Sequence, residues 1–146
     1  MIRNPERGKE LNGVTEFFIP LKKPPTVTHQ EKKVHVVNGK PVFYEPAELK
    51  EARAKLTAHL APFVPEQMFT SGVRLVVKWI FPTTGKHRDG EYRITKPDTD
   101  NLQKLLKDVM TKLHFWKDDA LISVEFIEKV YSDEPGILIL ITDLKP

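Results

Sequence analysis

The sequence predicts an α+β fold, a single domain in which two main helices pack on one mixed or antiparallel β-sheet. Two segments show helical spacing of apolar residues, several others alternate as strands do, and their order is strand, hairpin, helix, strand, helix, strand, strand. The 146 residues match one ordinary domain. We expect residues 14–146 to form it, and the polar residues 1–13 to form a flexible amino-terminal arm.

The first half of the chain predicts a strand, a hairpin and a helix. The stretch VTEFFIPL, residues 14–21, is a strand that ends before Pro24-Pro25, since proline cannot donate a ladder hydrogen bond. Asn38-Gly39 favours a tight hairpin turn. The hairpin is either simply solvated or contacts a DNA backbone through its lysines, Lys32, Lys33 and Lys40. A helix should begin near Pro46 and end at Pro62.

The second half predicts a central strand, SGVRLVVKWIFP, with apolar residues on both faces. A mobile polar loop over residues 82–97 follows, carrying four basic residues, Lys86, Arg88, Arg93 and Lys96. Apolar spacing then predicts a helix over residues 100–113, with Asn101, Lys104 and Asp108 on its solvent-exposed face. The next strand, ALISVEFIEKVY, should turn Phe126 inward and Glu125 outward, and GILILIT should be the last strand.

Composition excludes several classes of function. The formal charge of +3 fits a polyanionic partner only weakly, and the absence of cysteine excludes disulfides and thiolate chemistry. No apolar run is long enough to cross a bilayer, and the first residues lack the apolar core of a secretory signal. We expect a cytoplasmic protein with no membrane partner.

Two pairs of aspartates flank the second helix: Asp98 and Asp100 before it, and Asp118 and Asp119 after it. Two carboxylates in a segment that is not yet wound can converge on one hard cation such as Mg²⁺ or Mn²⁺. The alternative is helix capping, because aspartate is a favoured N-cap and is stabilised by the helix dipole. Capping explains one aspartate well but two pairs poorly.

Other motifs fail their own requirements. An EF-hand loop opening at Asp98 needs glycine sixth and glutamate twelfth, where the chain has Gln103 and Val109. No phosphate-binding glycine motif is present, so we expect no nucleotide cofactor, and no GxSxG or histidine pattern predicts nucleophilic catalysis.

The segment DTDNLQK, followed by the apolar helix and by FWKDDALI, resembles the RusA family of Holliday-junction resolvases. The resemblance is strongest over residues 98–129 and weaker at IPLKKPP. It implies that Asp98 and Asp100 are paired metal ligands and that Asp119 is a third catalytic acid. Asp118 matches a neighbouring acid that joins the metal set, and Lys104 matches a lysine needed for activity.

The resemblance further implies a nuclease that uses Mg²⁺, with Mn²⁺ as an alternative, to nick two strands symmetrically at a four-way DNA junction in recombination and repair. Symmetric cleavage needs two active sites, which a twofold homodimer most commonly provides, so we expect a homodimer. Some members of the family carry an arginine run before the first aspartate, whereas here only Arg93 and Lys96 are basic in that segment. We therefore expect DNA contacts also from Lys86, Arg88 and the hairpin lysines.

The spacing of the two pairs is a geometric problem. A helix over residues 100–113 carries the chain about 20 Å, and residues 114–119 span only about 17 Å when fully extended. Either the helix ends early or tilts, so that Asp119 barely reaches its own chain's pair, or a second subunit supplies Asp119. Three alternatives to a resolvase stay open: a non-catalytic DNA-binding module, a nuclease that nicks branches or flaps generally, and a DxD-dependent transferase.

Overall fold

The computed structural model describes residues 9–11, 13–26 and 33–145. Within these ranges the elements are β1 (Lys9–Leu11), β2 (Val14–Pro20), β3 (Lys33–Val37), β4 (Lys40–Tyr44), α1 (Ala47–Leu60), β5 (Val73–Pro82), α2 (Thr99–Lys112), β6 (Ile122–Ser132) and β7 (Gly136–Asp143). Short 3-10 turns cover Ala61–Phe63 and Asp119–Leu121. The predicted class, a single α+β domain with two main helices and a mixed sheet, is confirmed.

Five strands form the main sheet in the order β1-β2-β7-β5-β6, and β3 and β4 form a separate hairpin. Among the strands in the described ranges, only β5 and β6 pair in parallel, and the other strand pairs are antiparallel. The hairpin turns at Asn38 and Gly39, which have φ angles of 50° and 76°, the left-handed values that a tight turn requires. Both the hairpin and the interior position of β5 were predicted.

The first strand lies inside the interval predicted as a flexible arm. Lys9–Leu11 pair antiparallel with the start of β2, so this stretch belongs to the sheet, contrary to the prediction. Residues 1–8 and 12 of the predicted arm lie outside the described residues.

The core lies between the two helices and one face of the sheet. Alternate residues of β2, β5 and β7 are buried, and α2 contributes Leu102, Leu105, Leu106, Val109 and Met110. The opposite sheet face is more open than the sequence suggests: Val76 and Ile80 are only half-buried and Phe126 is 61% exposed. No helix in the described ranges has the length and apolar character that a bilayer crossing demands.

The helix α2 is the crossover that joins the parallel strands β5 and β6. Parallel neighbours cannot be joined by a tight turn, because the chain must return to the starting edge of the sheet. The helix therefore runs opposite to both strands, which lays its length alongside β6.

A register shift in β6 reverses the prediction for this strand. Val73 pairs with Ile122 and Arg74 with Val124, so Ser123 has no partner on β5. An unpaired extra residue of this kind inverts the faces of the residues that follow it. Glu125 pairs with the core-facing Leu75 and so lies on the helix side, whereas Phe126 lies on the open face.

Candidate active site

A groove between α2 and β6 brings the predicted acids together with basic side chains. It encloses about 370 Å³ and is called here the α2–β6 groove. Its α2 residues recur at the three- and four-residue spacing of one helix face. The lining residues are Thr99, Asp100, Gln103, Lys104, Lys107, Asp108, Asp119, Glu125 and Ile127.

Asp100 and Asp119 line opposite ends of the α2–β6 groove. Because β6 runs opposite to α2, the chain that enters β6 at Asp119 lies toward the Asp108 end of the helix face. Asp100 and Asp108 are separated by about 12 Å along the helix axis, at 1.5 Å per residue. The chain after α2 thus doubles back far enough for Asp119 to enter the groove, toward the end of the helix face that is farther from Asp100.

The helix does not end early, since α2 continues to Lys112. In the described part of the chain, no three histidine, cysteine, aspartate or glutamate side chains are close enough to hold one metal ion. Early termination of the helix is therefore wrong, whereas a tilted helix and a site completed by a second subunit both stay predictions.

Asp98 occupies the N-cap position of α2 without capping through its side chain. The backbone N–H of Leu102 donates to the carbonyl of Asp98 at 3.1 Å, and the Asp98 carboxylate accepts no capping bond. Instead, Lys96 Nζ lies 3.0 Å from its Oδ2, and half of the side chain is exposed. Capping therefore does not account for this carboxylate.

Asp118 does act as a cap. Its Oδ1 accepts a 2.9 Å hydrogen bond from the backbone N–H of Ala120, which fixes the 3-10 turn that carries Asp119. The sequence left open whether these aspartates bind metal or act as caps, and the Asp118 side chain makes a capping contact.

The other α2 positions differ in how well they were predicted. Lys104 is exposed and lines the groove as expected. Asn101, predicted on the solvent-exposed face, is only 6% exposed, because the first turn of α2 packs more deeply than the apolar spacing indicates.

Gln103 and Glu125 are among the groove residues that sequence reasoning missed. Gln103 is 2% exposed and donates from Nε2 to Glu125 Oε2 at 2.9 Å. Lys107 Nζ lies 3.3 Å from the other oxygen, Oε1. The signal for Gln103 was a polar residue at i−3 from the buried Leu106, but no sequence pattern reveals the register shift that turns Glu125 toward the helix.

The basic loop before α2 was predicted to be mobile, but it is hydrogen-bonded along the outer edge of β6. The backbone N–H groups of Gly90 and Arg93 donate to the carbonyls of Tyr131 and Lys129 at 2.7 and 2.8 Å. The His87 ring stacks on Tyr131 with 3.9 Å between centroids. The loop therefore extends the sheet edge and delivers the chain to Asp98 along a fixed path.

The four basic residues of this loop have different surroundings. Lys86, Arg88 and Lys96 are exposed, whereas the Arg93 guanidinium lies 4.2 Å from the centroid of the Phe81 ring and its Nε donates to the Lys96 carbonyl at 3.1 Å. Arg93 thus has a structural contact in addition to any contact with DNA.

Lys129 anchors the segment immediately before Asp98. Its Nζ donates to the carbonyls of Thr95 and Pro97, each at 2.8 Å. Partial burial, together with nearby Arg93 and Lys96, lowers the pKa of Lys129, and nearby Asp98 opposes this shift. At the far end of the loop, hydrogen bonds from the Ser132 side chain and the Asp133 backbone N–H lower the pKa of Asp89.

The hairpin that carries Lys40 forms a sheet of its own. Lys40 is exposed just after the Asn38-Gly39 turn of the separate β3–β4 sheet. Lys32 and the side chain of Lys33 lie outside the described residues, so their predicted DNA contacts stay predictions.

Comparison with known proteins agrees with the resemblance in the sequence. The family described as Endodeoxyribonuclease RusA matches residues 22–142. The "Crossover junction endodeoxyribonuclease rusA" of Lactococcus phage r1t is 34% identical over 131 residues, which cover 88% of this chain and 98% of that protein. The "Uncharacterized protein YqaN" of Bacillus subtilis (strain 168) is 29% identical over 118 residues, covering 73% of this chain and 82% of that protein. The chain therefore belongs to the RusA family of endodeoxyribonucleases.

Proposed function

We propose that this protein is a Mg²⁺-dependent endodeoxyribonuclease that resolves four-way DNA junctions by paired, symmetric nicks in recombination and repair, in the cytoplasm. The observation that carries the proposal is the α2–β6 groove, where Asp100, Asp119 and Lys104 line one recess although the two acids lie at opposite ends of a helix. The phage relative, whose name describes a crossover junction endodeoxyribonuclease, supports the junction as substrate.

The chemistry of the groove fits magnesium. Mg²⁺ prefers oxygen ligands, keeps several waters and is commonly held by one or two carboxylates together with substrate phosphates. We assign Asp98, Asp100 and Asp119 as the residues that would hold it, with Mn²⁺ as an alternative ion, and we assign Asp118 to the turn that carries Asp119. When bound, the ion lowers the pKa of a coordinated water and neutralises charge on the scissile phosphate.

The remaining residues bind and orient the DNA. Lys104 presents an ammonium group on the same helix face as Asp100, where it can stabilise negative charge that develops on the phosphate. Lys86, Arg88, Arg93 and Lys96 form the basic edge before the acids, and we assign Lys32, Lys33 and Lys40 as further phosphate contacts. Lys129 holds the backbone before Asp98, so that this carboxylate enters the site from a fixed position.

We also propose that the active unit is a homodimer. Two symmetric nicks need two active sites, and a twofold dimer is the commonest way to provide them. The separation of Asp100 and Asp119 within one described chain favours a site shared between subunits, with Asp119 of one chain completing the Asp98–Asp100 pair of the other.

The test is to incubate the purified protein with labelled four-way junction, linear duplex and flap DNA, with and without Mg²⁺. Paired nicks at symmetric positions of the junction, and only with metal, are the expected result. Equal nicking of flaps would indicate a general branch nuclease, and junction binding without any nicking would indicate a DNA-binding module. Asp100→Asn is the control: it should bind the junction and leave it uncut.

A further inference from the structure

The strand β6 is the last strand of the main sheet, and the described residues cover only the second half of its outer edge. Backbone hydrogen bonds join the loop before α2 to Lys129 and Tyr131. Because backbone groups alternate along a strand, Glu125 and Ile127 also direct their N–H and C=O groups outward. The hydrogen bonds of the described residues include none to these groups. Residues 124–128, called here the free edge segment, therefore offer four unpaired backbone groups.

Apolar side chains at this edge are exposed. Phe126, at the centre of the free edge segment, is 61% exposed, and Tyr92 and Ile94 on the adjoining loop are 66% and 92% exposed. An unpaired edge strand readily pairs with another strand, and proteins protect such edges especially with lysine, proline or a covering loop. The free edge segment, VEFIE, contains neither lysine nor proline. It carries two glutamates and no cation, which disfavours DNA phosphates as its partner.

We propose that the free edge segment pairs antiparallel with the same segment of a second copy of this chain, about a twofold axis at Phe126. The inference rests on the homodimer of the proposed function and names the surface that forms it. In this register, Glu125 pairs with the partner's Ile127 through two backbone hydrogen bonds, and the axis repeats the pair. The two Phe126 residues oppose each other at a position without backbone hydrogen bonds, where the Cα atoms approach to about 4.5 Å.

Charge and backbone geometry favour this register over its neighbours. An axis at Glu125 would place two like charges directly opposite each other, which destabilises a strand pair. An axis at Ile127 would direct Glu125 to the partner's Lys129, whose outward carbonyl already accepts a hydrogen bond from the loop. With the axis at Phe126, each glutamate of the segment opposes an apolar residue and the two aromatic rings meet.

The pairing brings the partner's Asp119 toward Asp98. The partner's Val124 lies opposite Glu128, next to Lys129, which holds the backbone just before the first aspartate of the site. Asp119 precedes Val124 by five residues, at most about 17 Å of extended chain. The second copy thus supplies an acid that the Asp98 end of the groove lacks in its own chain.

The register shift in β6 makes room for this arrangement. Ser123 has no partner on β5, and an extra residue of this kind bends its strand. The partner chain can therefore turn away from the edge at this point, before it meets residues 91–93, which are hydrogen-bonded to the second half of β6.

The first test is disulfide cross-linking, which is clean because the chain contains no cysteine. Phe126→Cys should form an intermolecular disulfide under mild oxidation, since a disulfide spans Cα atoms at that separation. Glu128→Cys alone should not, because its two copies lie four residues apart along the strands, about 13 Å. Mixed Val124→Cys and Glu128→Cys chains should cross-link. Val36→Cys, at a position 71% exposed on β3, is the matched control, and equal cross-linking of Phe126→Cys and Val36→Cys would overturn the proposal.

The second test is sedimentation velocity of the full chain without DNA. Wild-type protein should sediment as a dimer, and Phe126→Asp as a folded monomer at the same concentration, because two opposed carboxylates replace the aromatic pair. Val36→Asp should stay dimeric. A dimeric Phe126→Asp would contradict the proposal. If Phe126→Asp unfolds, as judged by circular dichroism, the cross-linking of Phe126→Cys alone decides.

Failure of this inference can be told apart from failure of the proposed function. Protein that dimerises and cross-links through Phe126→Cys but nicks no junction would contradict the nuclease activity and support the interface. Protein that dimerises and nicks in pairs, but whose Phe126→Cys chains do not cross-link, would contradict the interface alone. Wild-type protein that is monomeric at every concentration would overturn both the homodimer and its interface.

Discussion

Lys104 is the residue whose charge and position are most directly tied to the reaction proposed here. It is exposed on the α2 face that carries Asp100 and Gln103, and it lines the groove that holds the acids. Unlike Lys107, which pairs with Glu125, it has no ion pair among those found in the described residues.

Lys104→Met should lower the rate of junction nicking by about 10²–10³-fold, the usual cost of removing one group that stabilises transition-state charge. Junction affinity, measured by gel shift without metal, should change little, because one phosphate contact among many is lost. Lys112→Met, at an exposed position in the last turn of the same helix, is the control and should nick normally. A parallel loss of binding and nicking in Lys104→Met would assign Lys104 to DNA binding.

Substitutions of the adjacent residues Asp118 and Asp119 should have different effects on the rate of junction nicking. Asp118→Asn keeps a side-chain oxygen that can cap Ala120, since asparagine is as good an N-cap as aspartate, so single-turnover nicking should stay close to wild type. Asp119→Asn should lose nicking while it retains junction binding. Loss of nicking in both variants would make Asp118 a metal ligand and contradict the assignment made from its hydrogen bond.

At the scale of the elements, the loop before α2 is positioned by β6. Lys129 donates two hydrogen bonds to the backbone of this loop, and backbone bonds from Gly90 and Arg93 hold its earlier part. A segment that was expected to move is thus part of the scaffold of the site.

Lys129→Met should leave the protein folded but lower nicking by up to about 10²-fold, because a displacement of about 1 Å at a catalytic group can cost that much. The rate at saturating DNA is the quantity to compare. Lys78→Met, which removes a lysine from the opposite face of the neighbouring strand, is the control. Equal rates for the two variants would mean that the Lys129 contacts do not position Asp98.

The exposed cations of the same loop should act through DNA affinity. Replacing Lys86 and Arg88 together by glutamine should reduce the slope of log affinity against log salt by about 2, since each lost phosphate contact contributes about 0.9. Replacement of Lys50 and Lys55, both exposed on α1, should leave the slope unchanged. A normal slope after loss of Lys86 and Arg88 would place the DNA elsewhere on the protein.

The elements themselves were largely predictable, because apolar periodicity marks β2, β5, α1, α2 and β7, and Asn38-Gly39 marks the hairpin. The pairing of β1 was not predictable, since the three residues Lys9–Leu11 are too few to show alternation. The side chains of β6 were assigned to the wrong faces of the sheet, because apolar and polar residues alternate regularly through Ser123 and the sequence gives no sign that Ser123 is unpaired. Because of that error, Glu125 was not predicted to line the groove. The burial of Asn101 and Gln103 was not predicted either, because both side chains are polar.

At the scale of the whole molecule, the open question is which chain supplies each acid. The motif residues were identifiable from sequence, but their distance apart depends on the crossover geometry of α2. The described chain places Asp100 and Asp119 in one groove without a three-acid metal group.

A mixture of Asp98→Asn and Asp119→Asn chains distinguishes the two arrangements. In a shared site, the heterodimer has one site with both substitutions and one with neither, so it should make single nicks without paired resolution. In a site built from one chain, both sites of the heterodimer are defective and no nicking appears. Differently tagged chains purified in tandem ensure that only heterodimers are assayed, and each homodimer serves as the inactive control.

The unpaired residue in β6 has a consequence for how this groove can change during evolution. If β6 kept its length but paired regularly with β5, Ser123 would pair with Arg74, Val124 with Leu75 and Glu125 with Val76, which would turn Val124 and Phe126 toward α2 and move Glu125 to the opposite side of the sheet. A relative with this regular register would present an aromatic ring to the groove from a nearly identical sequence. Gain or loss of the Glu125 carboxylate can thus occur through a change in strand register, which an aligned list of acidic positions would not reveal.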